Sequence, residues 1–318
     1  MTRRLSSIAI AVMLSAVMNV LTLPASYSDH RALHMSSTGG LVDDGSVFGV
    51  KHLDGFSRLA KDRVKNREES RVEHKMKYNR VTTGYQEARN FRGTQFLGNV
   101  KMGSNQNFQV VFDTGSSVVM MNSVECKDHS CVTKSRYNGN LSESYKPQKK
   151  TLSVSLGSGL VIGKLSQEKF SLAGLVLKDQ DFIEIQHPSK TFFHNTYFDG
   201  IIGLGLPELA PKGTTSFLSN LKSGGQLSKV VFNLYYDRAQ NLSRSHLSFG
   251  DPELNFLQNA SLNYFPVVSK KYWAIRLTSI LVGGQEQGYC LMGCKAIIDS
   301  GSSLISAPSS SAYDLIGM

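Results

Sequence analysis

The sequence has few cysteines, few prolines and, after its first 28 residues, no long apolar run. Four cysteines in 318 residues are too few for a scaffold held by disulfides. The 8 prolines and 28 glycines follow no Gly-x-y period, which excludes a collagen-like chain. With 41% hydrophobic and 19% charged residues, the chain is not wholly disordered and can bury a sizeable core. Its length allows two ordinary domains, or one domain of two lobes.

Acidic residues are outnumbered by basic ones, and the formal net charge is +10. The densest basic run is Lys61–Arg80, and it is interleaved with Glu68, Glu69 and Glu73. A nucleic-acid surface usually gathers basic and aromatic residues on one folded face, so we expect no nucleic-acid partner. The run by itself is typical of a solvated helix.

The N-terminus has the pattern of a secretory signal peptide. Arg3 and Arg4 precede an apolar stretch from Ile8 to Leu23, and small residues follow as far as Ser28. We expect residues 1–28 to be removed; an uncleaved signal anchor is the alternative. No other stretch approaches the roughly 18 apolar residues of a spanning helix, so we expect no stable membrane span after cleavage. Three N-glycosylation triplets are compatible with the secretory pathway: Asn140, Asn241 and Asn259.

The texture of the chain changes near residue 84. Residues 29–50 are rich in Ser and Gly, and Leu53–Tyr78 is charged and compatible with a helix. After Gly84, short runs of Val, Ile, Phe and Leu are separated by Gly, Asn and Ser, with the roughly 8–12-residue spacing of successive strands. Examples are Phe108–Phe112, Val118–Met121, Leu152–Leu156 and Phe182–Ile185. The sequence therefore predicts an all-β body, with a short helix near Thr215–Leu221.

One eight-residue pattern occurs twice. Val110–Ser117 reads VVFDTGSS, and Ala296–Ser303, 186 residues later, reads AIIDSGSS. The apolar residues predict a buried strand, and the glycine permits a sharp turn at its end. One such copy would be an ordinary turn. Two copies with matching flanks indicate two related lobes, with Asp113 and Asp299 as paired functional carboxylates.

Over about residues 95–318 the sequence resembles the pepsin-like family of aspartic proteases. The resemblance implies a bilobal acid protease fold in which Asp113 and Asp299 meet at the bottom of a cleft and activate a water without metal or cofactor. In this family the two carboxylates share a proton. Ser116 and Ser302 match the hydroxyls that support each Asp. The implied substrate-binding residues are Gly115, Ser116, Leu156, Gly157, Ser158, Gly301 and Ser302.

Two further features match the family. Phe198–Leu204 resembles the buried strand beside the first Asp loop. The cysteines form two close pairs, similar to the family's short disulfide loops: Cys126 with Cys131, and Cys290 with Cys294. A zinc site built from all four is the alternative, although zinc sites usually contain tighter C-x-x-C pairs.

The resemblance gives the basic stretch a second interpretation. Residues 29–90 would be an inhibitory pro-segment, and Lys77 would place its ammonium between the two Asp residues. A cation there would lower the carboxylate pKa values and exclude water. An ordinary surface lysine is the alternative. We expect an N-terminal lobe over 91–265 and a partial C-terminal lobe over 266–318.

Three departures from the family bear on activity. The flap segment Val154–Gly159 has Leu156 where the family usually has Tyr, and Met120 stands where it usually has Trp. An apolar contact could replace their hydrogen bond, with either weakened catalysis or harmless repacking. Only 19 residues follow Asp299, whereas Gly203 lies 90 residues after Asp113. We therefore expect an incomplete second lobe, and a chain that is inactive as written.

The sequence thus predicts a secreted aspartic endopeptidase precursor, a monomer that acts on peptide or protein substrates. We expect it to be secreted or held in an acidic vesicular compartment. The alternatives are a non-catalytic peptide- or protein-binding relative and an inactive truncated form. A half-protease acting as a dimer is disfavoured because both motifs lie on one chain. The texture also resembles the plasmepsin-like subgroup.

Overall fold

The computed structural model describes most of the chain after residue 94 and shorter segments before it. The described residues are 9–12, 19–24, 32–36, 83–91, 95–157, 159–190, 192–193, 196–227, 229–236, 245–250, 262–282, 285–309 and 311–312. The expected helix at Leu53–Tyr78, with Lys77, lies outside them. So do Ser158 of the flap and the triplet residues Asn241 and Asn259.

The described chain is built mainly of β-strands, which confirms the all-β prediction. The eighteen strands are β1 (Ala9–Val12), β2 (Asn19–Pro24), β3 (Ala32–Ser36), β4 (Thr83–Phe91), β5 (Gln95–Met102), β6 (Gln106–Asp113), β7 (Val119–Asn122), β8 (Lys146–Leu156), β9 (Gly159–Leu172), β10 (Leu175–Pro188), β11 (Gly200–Gly203), β12 (Val231–Tyr236), β13 (His246–Gly250), β14 (Leu262–Pro266), β15 (Ala274–Leu277), β16 (Leu281–Val282), β17 (Gln285–Glu286) and β18 (Cys294–Ile298). Two short α-helices are α1 (His129–Val132) and α2 (Phe217–Ser223).

Thirteen strands form one large mixed sheet. Their order is β14-β3-β2-β12-β13-β4-β5-β6-β11-β7-β10-β9-β8, and β5 also pairs with β9. The four apolar runs expected to be strands lie in or overlap β6, β7, β8 and β10. The expected helix is α2, where the Ser216 side chain caps the first turn by accepting a hydrogen bond from Ser219 N at 3.2 Å.

The second copy of the repeated pattern lies in a separate three-stranded sheet of order β1-β18-β15. Strand β15 runs antiparallel to β18, and β1 runs parallel to it, with Val12 opposite Ile298. The apolar N-terminal segment therefore forms strands in this structure: β1 here, and β2 beside β12 in the large sheet.

The core that supports both copies of the repeat is continuous. One cluster of buried side chains includes Phe112 from β6, Ile298 from β18 and Trp273. Trp273 is only 1% exposed, and its indole nitrogen donates to the carbonyl of Leu204 at 2.7 Å. A buried indole N–H needs such a partner. This bond ties the segment before β15 to the residue that follows β11.

Both expected disulfides are present. Cys126 is bonded to Cys131, and Cys290 to Cys294, so that no cysteine is free. The alternative of a four-cysteine zinc site is therefore wrong, because its ligands are consumed in pairs. No helix in the described part of the chain is long and apolar enough to cross a membrane.

Candidate active site

Each Asp of the repeat lies where a buried strand ends. Asp113 is the last residue of β6, and β11 lies parallel to that strand with Gly203 opposite Asp113. The amide of Leu204 then donates to the carbonyl of Asp113 at 2.7 Å. Asp299 directly follows β18. Strand ends of this kind hold a side chain in place because the preceding backbone is fixed by its neighbours.

The two loops interlock through the hydroxyl residues that follow each Asp. The Thr114 amide donates to Ser300 Oγ at 3.0 Å, and the Ser300 amide donates to Thr114 Oγ1 at 2.9 Å. Each hydroxyl then donates across the junction: Thr114 Oγ1 to the Ile298 carbonyl at 2.7 Å, and Ser300 Oγ to the Phe112 carbonyl at 2.6 Å. Four reciprocal hydrogen bonds therefore hold together loops that are 186 residues apart in sequence.

The two glycines of the repeat allow the carboxylates to face each other. A methyl group placed on Gly115 would lie 2.6 Å from the carboxylate carbon of Asp299. A methyl group on Gly301 would collide in the same way with Oδ1 of Asp113. Each loop thus presents its glycine to the opposite aspartate, so a larger residue at either position would push one carboxylate away.

Asp113 is the more enclosed member of the pair. Its side chain is buried and accepts hydrogen bonds from Ser116 Oγ at 2.5 Å and from the Gly115 amide at 2.8 Å. Burial, followed by the charge of Asp299, raises the pKa of Asp113 to about 7, although the hydrogen bonds from Ser116 and Gly115 oppose the shift. A proton is therefore retained on this carboxyl well above the usual aspartate range.

Asp299 is held differently. It is half-buried and accepts a hydrogen bond from the Gly301 amide at 2.9 Å. The hydroxyl of Ser302, expected to support Asp299, donates instead to the carbonyl of Leu304 at 2.8 Å. The turn after Ser302 brings the Leu304 carbonyl within hydrogen-bond distance of the Ser302 hydroxyl. The serine therefore stabilises its own loop and does not donate to the Asp299 carboxylate.

The flap segment has an apolar face. In the β8–β9 hairpin Leu156 pairs with Gly159, and Gly157 is exposed at the tip. Side chains at alternate positions of β8, the last of them Leu156, pack against a cluster that includes the fully buried Met120. Leu156 and Met120 therefore belong to one apolar assembly.

Other candidate sites in the described residues do not compete with the Asp pair. A cavity of about 560 Å³ lies at the start of β6, away from Asp113, against Asn107, Phe108 and Asp199. Its buried Asp199 already accepts backbone amides from Gln109 and Ser135, each at 2.9 Å. No group of three or more His, Cys, Asp or Glu within the described ranges could hold a metal ion.

Comparison with known proteins agrees with this geometry. The family model for eukaryotic aspartyl proteases matches residues 95–317. The chain belongs to the eukaryotic aspartyl protease family. It is 37% identical to cathepsin E of Cavia porcellus over 69% of this chain and 56% of the relative, and 32% identical to gastricsin of Callithrix jacchus over 70% and 57%. Procardosin-B of Cynara cardunculus is 34% identical over 69% of the chain and 44% of the relative. The chain therefore spans about half the length of these aspartyl proteases.

The repeat singled out Asp113 and Asp299, whose loops the structure brings together, but not the residues that hold the two loops together. Thr114 and Ser300 make the hydrogen bonds between the two loops. Their equivalent positions in the two copies of the repeat are the sequence feature that could have predicted this role. Tyr236 was also not predicted from the sequence to lie near the site. Burial raises its pKa, and the charges of both aspartates contribute to the increase. Nothing in the sequence around Tyr236 indicates that β12 approaches the repeat, because that proximity is tertiary.

Proposed function

We propose that this protein is an aspartic endopeptidase that hydrolyses peptide bonds with a water activated by Asp113 and Asp299. The observation that carries the proposal is the interlocked pair of loops in which each glycine faces the opposite carboxylate. Two carboxylates held so close cannot easily both be ionised, and the charge of Asp299 adds to the larger effect of burial in raising the pKa of Asp113 to about 7. The pair then holds one proton below neutral pH.

One shared proton is sufficient for hydrolysis. The ionised carboxylate removes a proton from water, whose oxygen attacks the carbonyl carbon of the peptide bond, while the protonated carboxyl donates its proton to the carbonyl oxygen. The resulting tetrahedral diol collapses as the C–N bond breaks. One diol hydroxyl returns its proton to a carboxylate, and the amine nitrogen takes a proton from the pair. Bonds and charges balance, and the pair regains its single proton.

The residues of the flap indicate the class of substrate. We propose peptide or protein substrates with apolar side chains beside the cleaved bond, bound against Leu156 and the exposed Gly157. Ser158, which lies outside the described residues, is proposed as a further substrate contact of the flap. Gly115, Ser116, Gly301 and Ser302 are proposed to contact substrate from the loops. Leu156 supports this assignment because it is apolar and only partly buried, so part of its surface remains accessible beside the flap tip.

The test removes one carboxylate at a time without changing its shape. Asp113→Asn and Asp299→Asn should each reduce acid-dependent cleavage of a peptide library by at least about 1,000-fold. In each variant an amide replaces one carboxyl, and the carboxyl that remains has no partner with which to share a proton. Asp179→Asn is the matched control, since Asp179 is an exposed residue of a surface ion pair with Lys146. Undiminished cleavage by either active-site variant would overturn the aspartic mechanism.

A second candidate function is peptide binding without cleavage. The observations that favour it are the half-buried Asp299 and the Ser302 hydroxyl that donates elsewhere. A peptide that binds the wild-type protein at acidic pH, and is recovered uncut after prolonged incubation, would select this candidate over the endopeptidase.

We also propose that the chain is made as a secretory precursor, with a signal peptide at 1–28, a pro-segment at 29–90 and lobes at 91–265 and 266–318. The family membership and the basic stretch around Lys77 support this organisation. A synthetic peptide of residues 29–90 should inhibit at near-neutral pH and lose potency as the Asp pair protonates. If Lys77→Ala inhibits equally well, Lys77 is not the blocking group.

A further inference from the structure

Asn140 lies on an exposed turn before strand β8. It is the middle residue of the short 3-10 turn Gly139–Leu141, which follows helix α1. The residue is exposed, and it begins the triplet Asn-Leu-Ser, whose hydroxyl residue is Ser142. An asparagine in such a triplet is an acceptor for N-linked glycans in a secreted protein when it lies at the surface.

The turn is held in place by atoms other than the Asn140 side chain. The Asn138 carbonyl accepts from Gln106 Nε2, and the Asn138 amide donates to Gln106 Oε1, both at 2.9 Å. Asn138 Oδ1 then accepts from the backbone amide of Asn140 at 3.1 Å. The Ser142 amide closes the turn by donating to the Gly139 carbonyl at 3.1 Å. A group attached to Asn140 Nδ2 would break none of these hydrogen bonds.

The side chain of Asn140 differs in this respect from those of other asparagines. Asparagine side chains in turns commonly bond to the backbone and thereby hold the turn. Asn138 does so as the cap of this turn, and Asn122 donates to the Cys131 carbonyl at 2.9 Å. The side-chain amide of Asn140 makes no hydrogen bond to any residue that the structure describes. The fold therefore does not use it and leaves it available at the surface.

The turn lies at the opposite end of β6 from the Asp pair. Asn138 bonds to Gln106, the first of the eight residues of β6, whereas Asp113 is the last. At about 3.3 Å per residue, the strand separates these two ends by roughly 23 Å. A glycan on Asn140 would therefore begin about one strand length away from the catalytic loops.

We propose that Asn140 is an N-glycosylation site. Asn140 Nδ2 forms a bond to C1 of an N-acetylglucosamine supplied by a lipid-linked diphosphate oligosaccharide. The bond between C1 and the diphosphate oxygen breaks, the amide nitrogen loses one proton, and the lipid diphosphate leaves. The modification rests on the proposed secretory route and not on the proposed peptidase activity, so its test requires no turnover.

The experiment expresses the full chain in a eukaryotic secretory host and compares the wild type with three variants. Asn140→Gln and Ser142→Ala should each cause the loss of one glycan, seen as the same shift to lower mass. Ser142→Thr is the matched control: it keeps the hydroxyl of the triplet and should retain the wild-type mass. After enzymatic removal of the glycan, peptide mass spectrometry of the wild type should find aspartate at position 140.

Asn241 and Asn259 report on the secretory route in the same sample. An unmodified Asn140 in a secreted chain would overturn the proposal, most sharply when Asn241 or Asn259 carries a glycan. If all three are unmodified and the chain stays in the cytosol, the proposed secretory precursor is refuted together with this site. A glycosylated chain without peptidase activity would refute the proposed endopeptidase and leave the assignment of Asn140 intact.

Discussion

The loop that carries Asp113 and the loop that carries Asp299 have the same eight-residue pattern but different surroundings. Strand β6, which leads to Asp113, lies between β5 and β11 inside a sheet of thirteen strands. Strand β18, which leads to Asp299, lies between β15 and β1 in a sheet of three. Asp113 is buried and accepts a hydrogen bond from the serine three residues later, whereas Asp299 is half-buried and does not.

The difference shows that a repeated motif determines the local turn but not the properties of its carboxylate. Both loops make the same bond from the glycine amide to Oδ1 of their own aspartate, at 2.8 and 2.9 Å. Only the larger sheet encloses its aspartate fully, and burial is the main cause of the raised pKa of Asp113. The strands around the two carboxylates therefore give them different environments.

The largest expected effect comes from closing the space between the loops. Gly115→Ala and Gly301→Ala each place a methyl group against the opposite carboxylate, so that one carboxylate must move. A displacement of about 1 Å costs roughly 100-fold in rate, and we expect at least that loss in kcat/KM from either variant. Gly224→Ala is the control: it has an ordinary helical conformation, and its nearest contact would lie at 3.4 Å. Full activity of Gly115→Ala would show that the loops lie further apart.

A smaller effect is expected from removing β1, one of the two strands that flank β18, which leads to Asp299. A chain that starts at residue 29 lacks β1 and β2, which leaves β18 paired with β15 only. We expect the amides of β18 to exchange at least about tenfold faster, while those of β6, which keeps both its neighbours, retain their rates. The proposed removal of residues 1–28 as a signal peptide would leave the same chain, so the comparison is between the precursor and the cleaved protein. Unchanged exchange in β18 would show that β1 does not stabilise the three-stranded sheet.

The smallest expected effect is a difference in the pH dependence of activity between substitutions of Ser116 and of Ser302, the equivalent serines of the two loops. Ser116 Oγ stabilises the ionised form of Asp113, so Ser116→Ala should raise the pKa of Asp113 further above about 7. The alkaline limit of activity should then move to higher pH, because the pair keeps its shared proton longer. Ser302→Ala should leave that limit unchanged, since its hydroxyl donates to Leu304. Carboxyl titration by NMR, with the pH–rate profile, checks both; equal shifts would contradict the asymmetry between the loops.

The stability of the protein should change with pH in the direction set by the same group. The pKa of Asp113 is higher in the folded chain than in the unfolded one, so the folded state binds the proton more tightly. This contribution is fully present below the ordinary aspartate range and is lost as pH rises from about 4 to about 7. Asp113 therefore stabilises the fold more at acidic pH than at neutral pH.

Much of the candidate site was predictable from the sequence because its signals are local. A strand of apolar residues followed by Asp, a hydroxyl residue and Gly is readable in each copy. The resemblance to the family, together with the two close cysteine pairs, implied both disulfides. The role of Ser302 could not be predicted in this way. The Ser302 hydroxyl can donate its hydrogen bond either to the Asp299 carboxylate or to the Leu304 carbonyl. Which of the two accepts depends on how the turn after Ser302 folds.

The sequence by itself determined the β-rich class, the two Asp turns and the small residues that let them approach, since each depends on neighbours within a few positions. Only the tertiary structure decided that Thr114 and Ser300 interlock, and that Asp113 is enclosed while Asp299 is not. The physical reason is that burial and charge coupling depend on strands brought together from distant parts of the chain, and a carboxylate pKa responds to that environment and not to its own motif.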